Sequence, residues 1–259
     1  MRNTSRCVLC LVGAIAAVAL TAIDSKGLII DTFATPQTVI AAGVDGSTAN
    51  GAVSSGGADI LGGVRDVRLV NGVGTGGGNF RLDAYAGAPY NVLQVQQNAL
   101  NRSGTAYTTW DGIGNDSLDP TGLGGVDFTP NGIEDRFAIL ADEGSSLDVP
   151  VTITVYSDAT HYSSLTEQLP AGATSYYMYF YYGDFVAGGG DGGVDWNSVG
   201  AVQMAVTQNK GSSSYFSFFE SNSSIPEPGT FVLMGAVALA GAAARRRKAK
   251  AALAVAQKA

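Results

Sequence analysis

The sequence predicts an all-β protein, a two-sheet sandwich of jelly-roll type, flanked by a signal helix at the N-terminus and a short transmembrane helix at the C-terminus. Three observations carry this. From Leu28 to Glu220 the apolar residues fall in short runs separated by clusters of Gly, Asn, Asp and Ser. In runs such as "VPVTITVYS" (149–157) apolar residues alternate with Thr, the period of a strand with one face in a core. No stretch in that region sustains the 3.6-residue period of an amphipathic helix.

Taken in order, the candidate strands are "LIIDTF" (28–33), "VRDVRLV" (64–70), "NFRLDAY" (79–85), "NVLQVQQ" (91–97), "AYTTW" (106–110) and "DRFAILA" (135–141). They continue as "VPVTITVYS", "YSSLTEQL" (162–169), "SYYMYFYY" (175–182), "VGAVQMAVT" (199–207) and "SYFSFFE" (214–220). Such spacing suits a sandwich, and the lack of a fixed-period repeat argues against solenoids and propellers. The Gly-rich stretches "GTGGGN" (74–79) and "GGGDGG" (188–193) lack the Lys-Ser/Thr of a phosphate loop and read as hairpin turns.

The formal charge of −7 conceals a partition. All 22 Asp and Glu lie between Asp24 and Glu227, a stretch holding only seven of the fifteen basic residues, so its balance is −15. A domain this acidic repels polyphosphate, which excludes nucleic acid as a partner. The only cysteines, Cys7 and Cys10, fall in an apolar N-terminal run with no second pair, which argues against a zinc or redox site.

The ends read as processing segments. Residues 1–23 combine basic Arg2 and Arg6, an apolar run from Cys7 to Leu20 and an Ala17-x-Ala19 cleavage pattern. That is the layout of a secretory signal peptide, implying Sec export and signal peptidase. Residues 221–259 follow the sandwich domain, expected at 24–220, and hold a Ser/Asn spacer, Pro226-Glu227-Pro228, an apolar run and Arg245-Arg246-Arg247-Lys248. The two prolines keep the chain extended ahead of a helix. From Gly229 to Ala244 that helix is about 24 Å long, short of the roughly 30 Å hydrocarbon core. Its basic cluster suits a cytoplasmic stop-transfer end.

This order of parts resembles the PEP-CTERM sorting signal of bacterial envelope proteins. The resemblance implies retention in the inner membrane by residues 229–244, a membrane contact that is transient. An exosortase-type transpeptidase would then recognise Pro226, Glu227 and Pro228, with Arg245, Arg246, Arg247 and Lys248 as the stop-transfer cluster. The destination so implied is the cell surface or extracellular matrix. A second resemblance covers most of 28–220: "LIIDTF", "GGVRDVRL" (62–69) and "GGVDWNSVGAVQMAV" (192–206) look like galactose-binding-like sandwiches, a group that includes carbohydrate-binding modules.

Candidate chemistry is sparse. His161 is the only histidine, with no Gly-x-Ser-x-Gly elbow to make a hydrolase triad, and reads as an exposed strand-edge residue. In "WDGIGNDSLDPTGLGGVDFTPNGIEDRF" (110–137), Asp111, Asp116, Asp119 and Asp127 offer the hard oxygens calcium prefers, although Asp and Asn also build long β-turns. In "SYYMYFYYGDF" (175–185), alternation sends Tyr177, Tyr179 and Tyr181 to one face and Tyr176, Met178, Phe180 and Tyr182 to the other. A strand apolar on both faces suggests a central position in a sheet; alternatively Tyr177, Tyr179 and Trp196 form a sugar-stacking platform. No residue set marks an enzyme or a bound cofactor. The expected role is structural or interactive, with binding of extracellular polysaccharide as the alternative.

Overall fold

The computed structural model describes residues 27–222 apart from 56–58, 87–90, 116, 133, 144–146 and 190–191. The predicted signal peptide and the sorting segment from residue 223 onward, with the helix expected in each, lie outside the described residues. Among the described residues no helix is long and apolar enough to cross a membrane.

The chain forms the expected sandwich. Its strands are β1 (Ile29–Asp31), β2 (Gln37–Ala41), β3 (Thr48–Ser54), β4 (Val64–Asn71), β5 (Phe80–Tyr85), β6 (Val92–Gln97) and β7 (Gly104–Trp110). They continue with β8 (Arg136–Glu143), β9 (Val149–Tyr156), β10 (Tyr162–Leu169), β11 (Thr174–Tyr181), β12 (Val186–Ala187), β13 (Ala201–Gln208) and β14 (Ser213–Asn222). The first sheet runs β11-β8-β14-β6-β5-β2, with β1 also paired to β14; the second runs β12-β10-β9-β13-β7-β4-β3. The pairings between strands are antiparallel.

All eleven strands expected from the sequence are present. The additional ones, β2, β3 and β12, are all sheet edges. An edge strand has one neighbour and often shallow burial, so its sequence carries less of the alternating signal. β3 reads "TANGAVS" and contains no fully buried residue, and β12 has two residues, both exposed. At the end of the first sheet opposite β2 stands β11, and this corrects the expectation that the tyrosine-rich strand is central.

Alternation sends Leu82, Leu93, Val95, Phe137, Ile139 and Phe219 from the first sheet against Val67, Leu69, Val151, Ile153, Val155 and Met204 from the second, all within 2% of complete burial. Each such side chain contributes about 1.5–3 kcal/mol through burial. One polar cluster interrupts this core. Arg65 on β4 bonds both Asp31 carboxylate oxygens on β1, at 3.0 and 3.1 Å. The Trp110 indole N–H donates to Asp31 Oδ2 at 2.8 Å, and Arg65 Nε donates to Gln37 Oε1 at 2.8 Å. The remaining lone pairs of Asp31 turn the chain: Phe33 N donates to Oδ1 at 2.7 Å, holding Phe33 at φ 56°. That is left-handed backbone which a bulky residue adopts only under constraint.

β1 lies beside the C-terminal half of β14, with Ile29 opposite Glu220, so the two ends of the described chain meet. Ser221 N donates to Leu28 O at 2.8 Å. The long segments 111–135 and 182–200 gather at this same end, because β8 and β11 run between Arg136 or Tyr181 here and Glu143 or Thr174 at the other end.

Candidate functional site

The outer face of the first sheet carries a row of exposed aromatic residues, while Tyr176, expected on the opposite face with Met178, Phe180 and Tyr182, is exposed near the start of β11. Tyr177, Tyr179 and Tyr181 project from β11 and remain 47%, 40% and 41% exposed, while Met178 and Phe180 between them are buried. The register sets Tyr177 beside Leu140, Tyr179 beside Ala138 and Tyr181 beside Arg136. On the far side of β8, Phe218, Glu220 and Asn222 complete the same three rows. A register shift in β14 between Tyr215 and Phe218 makes this possible, for Phe216 and Phe219 stay in the core while Phe218 reaches the outer face.

The tyrosine rings follow one another with centroids 6.0 and 6.5 Å apart, and Phe218 lies 6.0 Å from Tyr177. The Arg136 guanidinium sits over Tyr179 at 4.6 Å and over Tyr181 at 5.4 Å, and it donates to the Tyr181 hydroxyl at 3.1 Å. Cation–π contacts of this kind hold rings in place at a sheet edge. Across the sheet the face becomes polar. Gln94 Nε2 donates to Tyr215 Oη at 2.9 Å, and on β5 the Asp83 carboxylate accepts from Arg81 and, at 2.7 Å, from Thr38.

Trp196 does not join the tyrosines. It stacks on Tyr182 at 4.0 Å and meets Phe185 edge-on at 5.1 Å, with Phe137 6.0 Å away. Tyr182 has the opposite parity to Tyr177 and Tyr179, so its partner Trp196 follows it towards the core. The expected trio is therefore divided, and Tyr181, Phe218 and Arg136 take the place assigned to the tryptophan. The β14 irregularity that exposes Phe218 has no mark in a plain alternating pattern.

The candidate calcium ligands build turns. Asp111 is fully buried, accepting from Ile113 N at 3.0 Å and Asp119 N at 2.8 Å. Asp119 accepts from the backbone and hydroxyl of Thr121, and these bonds hold its carboxyl below the usual range. Asp127 likewise accepts from the backbone N–H and the hydroxyl of Thr129. Asp116 lies outside the described residues. Among the described residues no group of three or more His, Asp or Glu side chains is placed to hold a metal ion. His161 closes the β9–β10 hairpin, its Nδ1 2.8 Å from Asp158 Oδ2.

Two features carry no mark in the sequence. One is the burial of Glu134, which is 7% exposed beside Leu28, where the two ends of the described chain meet. Burial pushes its carboxyl up to about 7; a hydrogen bond from Leu28 opposes this and the charges of Glu220 and Asp127 add to it. The second is a groove of about 310 Å³ on the outer face of the second sheet, between β4, β7 and β13 and the segment around 115–118. Its lining comes from separate strands and a loop, with no contiguous motif to mark it.

Comparison with known proteins identifies a PEP-CTERM protein-sorting motif at residues 224–248. The match contains Pro226-Glu227-Pro228 and the cluster from Arg245 to Lys248. The protein is therefore exported and sorted to the cell envelope or surface, and the motif implies processing by an exosortase. No curated protein matches the chain. Among solved structures, the family 11 carbohydrate-binding module of the cellulosomal cellulase Lic26A-Cel5E of Clostridium thermocellum is similar at 11% identity and a TM-score of 0.39, over 78% of this chain and 98% of that one. TmCBM61, solved with β-1,4-galactotriose, is similar at 7% identity and a TM-score of 0.28, over 51% and 70%. PfGH50B is similar at 10% identity and a TM-score of 0.36, over 56% of this chain and 22% of that chain, so the chain spans under a quarter of the longer protein.

Proposed function

We propose that the protein is a non-catalytic component of the cell surface or extracellular matrix whose sandwich binds extracellular polysaccharide through the outer face of the first sheet. The observation that carries this is the exposed row of Tyr177, Tyr179 and Tyr181 on one face of β11. Such a row offers apolar ring surface, while Gln94, Arg81 and Asp83 further along the same sheet offer donors and acceptors for sugar hydroxyls. The non-catalytic reading is supported by the placement of His161 in a hairpin turn, where its nearest acid, Asp158, is bonded to that turn. The route is Sec export with removal of the signal segment, retention through residues 229–244, and cleavage near Pro226-Glu227-Pro228 by an exosortase-type enzyme.

The test is affinity electrophoresis of the full chain in mild detergent through gels containing neutral β-glucan, galactan or the producing cell's own matrix polysaccharide. At least one polymer is expected to retard it, and the paired change Tyr177→Ala with Tyr179→Ala should weaken that retardation at least tenfold in protein that still unfolds cooperatively above the gel temperature. Unretarded migration in every gel overturns the reading.

A further inference from the structure

We propose that the groove across β4, β7 and β13 is a second saccharide site, on the opposite outer face of the sandwich from the tyrosine row. The site stands on its own geometry. Its consequence, that one domain holds two polysaccharide chains and cross-links them, rests on polysaccharide binding at the tyrosines.

The floor comes from strand register. Asp66 on β4, Thr109 on β7 and Gln203 on β13 lie side by side in one row across three strands. In the next row Arg68 lies beside Tyr107, its guanidinium 4.5 Å from the ring centroid. Outward positions on adjacent strands sit about 5 Å apart, close enough for one sugar ring to meet several of them. Asp66 and Thr109 are 9% and 7% exposed, so they form the base of the groove. Gln203 Nε2 donates to Thr109 Oγ1 at 2.9 Å, which fixes the amide across it.

The wall comes from the acidic segment after β7. Asp111 ties that segment back on itself through Ile113 N and Asp119 N. Asn115 Oδ1 accepts from Ser117 N and Oγ at 2.8 and 3.0 Å, placing Leu118 on the groove. Gly122 packs so closely on the Asp111 carbonyl that a side chain there would collide with it. The described residues that follow Asp111 thus form the rim of the groove.

The lining selects the ligand class. Carboxylate, amide and hydroxyl groups supply both donors and acceptors, as vicinal hydroxyls require, and Tyr107 and Leu118 supply apolar surface for C–H bonds. Asp66 and Arg68 carry opposite charges two residues apart on one face, so the groove favours a neutral ligand. At about 310 Å³ it lies at the small end of the roughly 300–1,000 Å³ range of small-molecule sites, suiting a short stretch of one chain.

The experiment titrates the full chain in detergent with neutral hexasaccharides from the retarding polymer, and separately measures the viscosity of the long polymer. Three proteins are compared: wild type, the tyrosine variant (Tyr177→Ala, Tyr179→Ala) and a groove variant (Tyr107→Ala, Gln203→Ala). Asp66→Asn serves as an isosteric groove variant should the last unfold. Expected are two sites per chain in wild type, one in each variant, and a viscosity rise with wild type alone. A single site lost in the tyrosine variant and untouched by either groove change overturns this inference and leaves the proposed function standing. Binding lost only in the groove variants overturns the tyrosine reading while the groove site stands. No binding by any protein overturns both.

Discussion

Arg65 and Asp31 meet at 3.0 Å between the two sheets with neither side chain exposed. The pair joins β4 of one sheet to β1 of the other, and Trp110 adds a third strand through its bond to the same carboxylate. A buried ion pair adds little net stability over apolar packing, but breaking one side of it leaves a charge with insufficient partners.

Arg65→Met is accordingly expected to cost about 3–5 kcal/mol, read from the urea midpoint. The double change Arg65→Met with Asp31→Asn should recover part of that loss, because the stranded charge is gone. A single variant within 1 kcal/mol of wild type would remove the pair from its role at the sheet junction.

Glu134 makes stability depend on pH. Its carboxyl titrates near 7 in the folded protein against an ordinary 4.5. Below about pH 4.5 both states are protonated and no penalty exists. As pH rises to 7 and beyond, the unfolded state ionises first, so folding stability falls by an amount on the order of 2–3 kcal/mol. Glu134→Gln should flatten the stability profile between pH 4.5 and 7 and raise the melting temperature at pH 8. A melting temperature at pH 8 no higher than wild type counts against this.

Trp196 and Tyr177 should separate stability from binding. Trp196 packs with Tyr182, Phe185 and Phe137, so Trp196→Ala is expected to cost about 3 kcal/mol and to leave polysaccharide retardation intact in protein that remains folded. Tyr177→Ala should weaken retardation and cost less stability than Trp196→Ala, because its ring is 47% exposed. The comparison needs only thermal melts and the same gels.

Asp111 organises the rim of the groove with both oxygens, so Asp111→Ala should cost about 2 kcal/mol and speed proteolysis between residues 112 and 119. Millimolar calcium is not expected to raise the wild-type melting temperature, since these oxygens bond to backbone N–H groups. Stabilisation of wild type by calcium that Asp111→Ala abolishes would return the segment to the role of an ion-binding loop.

The strand pattern was legible because alternation is local. "VPVTITVYS" and "VGAVQMAVT" state which of their residues are buried without reference to the rest of the chain. The parity of Tyr177, Tyr179 and Tyr181 was legible for the same reason. The order "PEPGTF", apolar run, "RRRK" is likewise local, and it placed the sorting motif. Which strands form the edges was not legible, because alternation measures how a strand's faces are buried and is silent on how many neighbours it has. β11 read as central because both its faces are apolar; at the edge its outward tyrosines instead cover Ala138 and Leu140 on β8.

The sequence by itself thus determined a β-sandwich, its acidic character, the facing of its central strands and its export address. The tertiary structure decided which distant residues meet: Asp31 with Arg65 across 34 positions, Trp196 with Tyr182 rather than Tyr177, and Asp66 with Thr109 and Gln203 at the base of a groove. Those meetings depend on register and sheet order, which arise from many cooperating backbone hydrogen bonds and a shared core. A one-residue change in register would turn each side chain to the other face, so no short stretch of sequence encodes them alone.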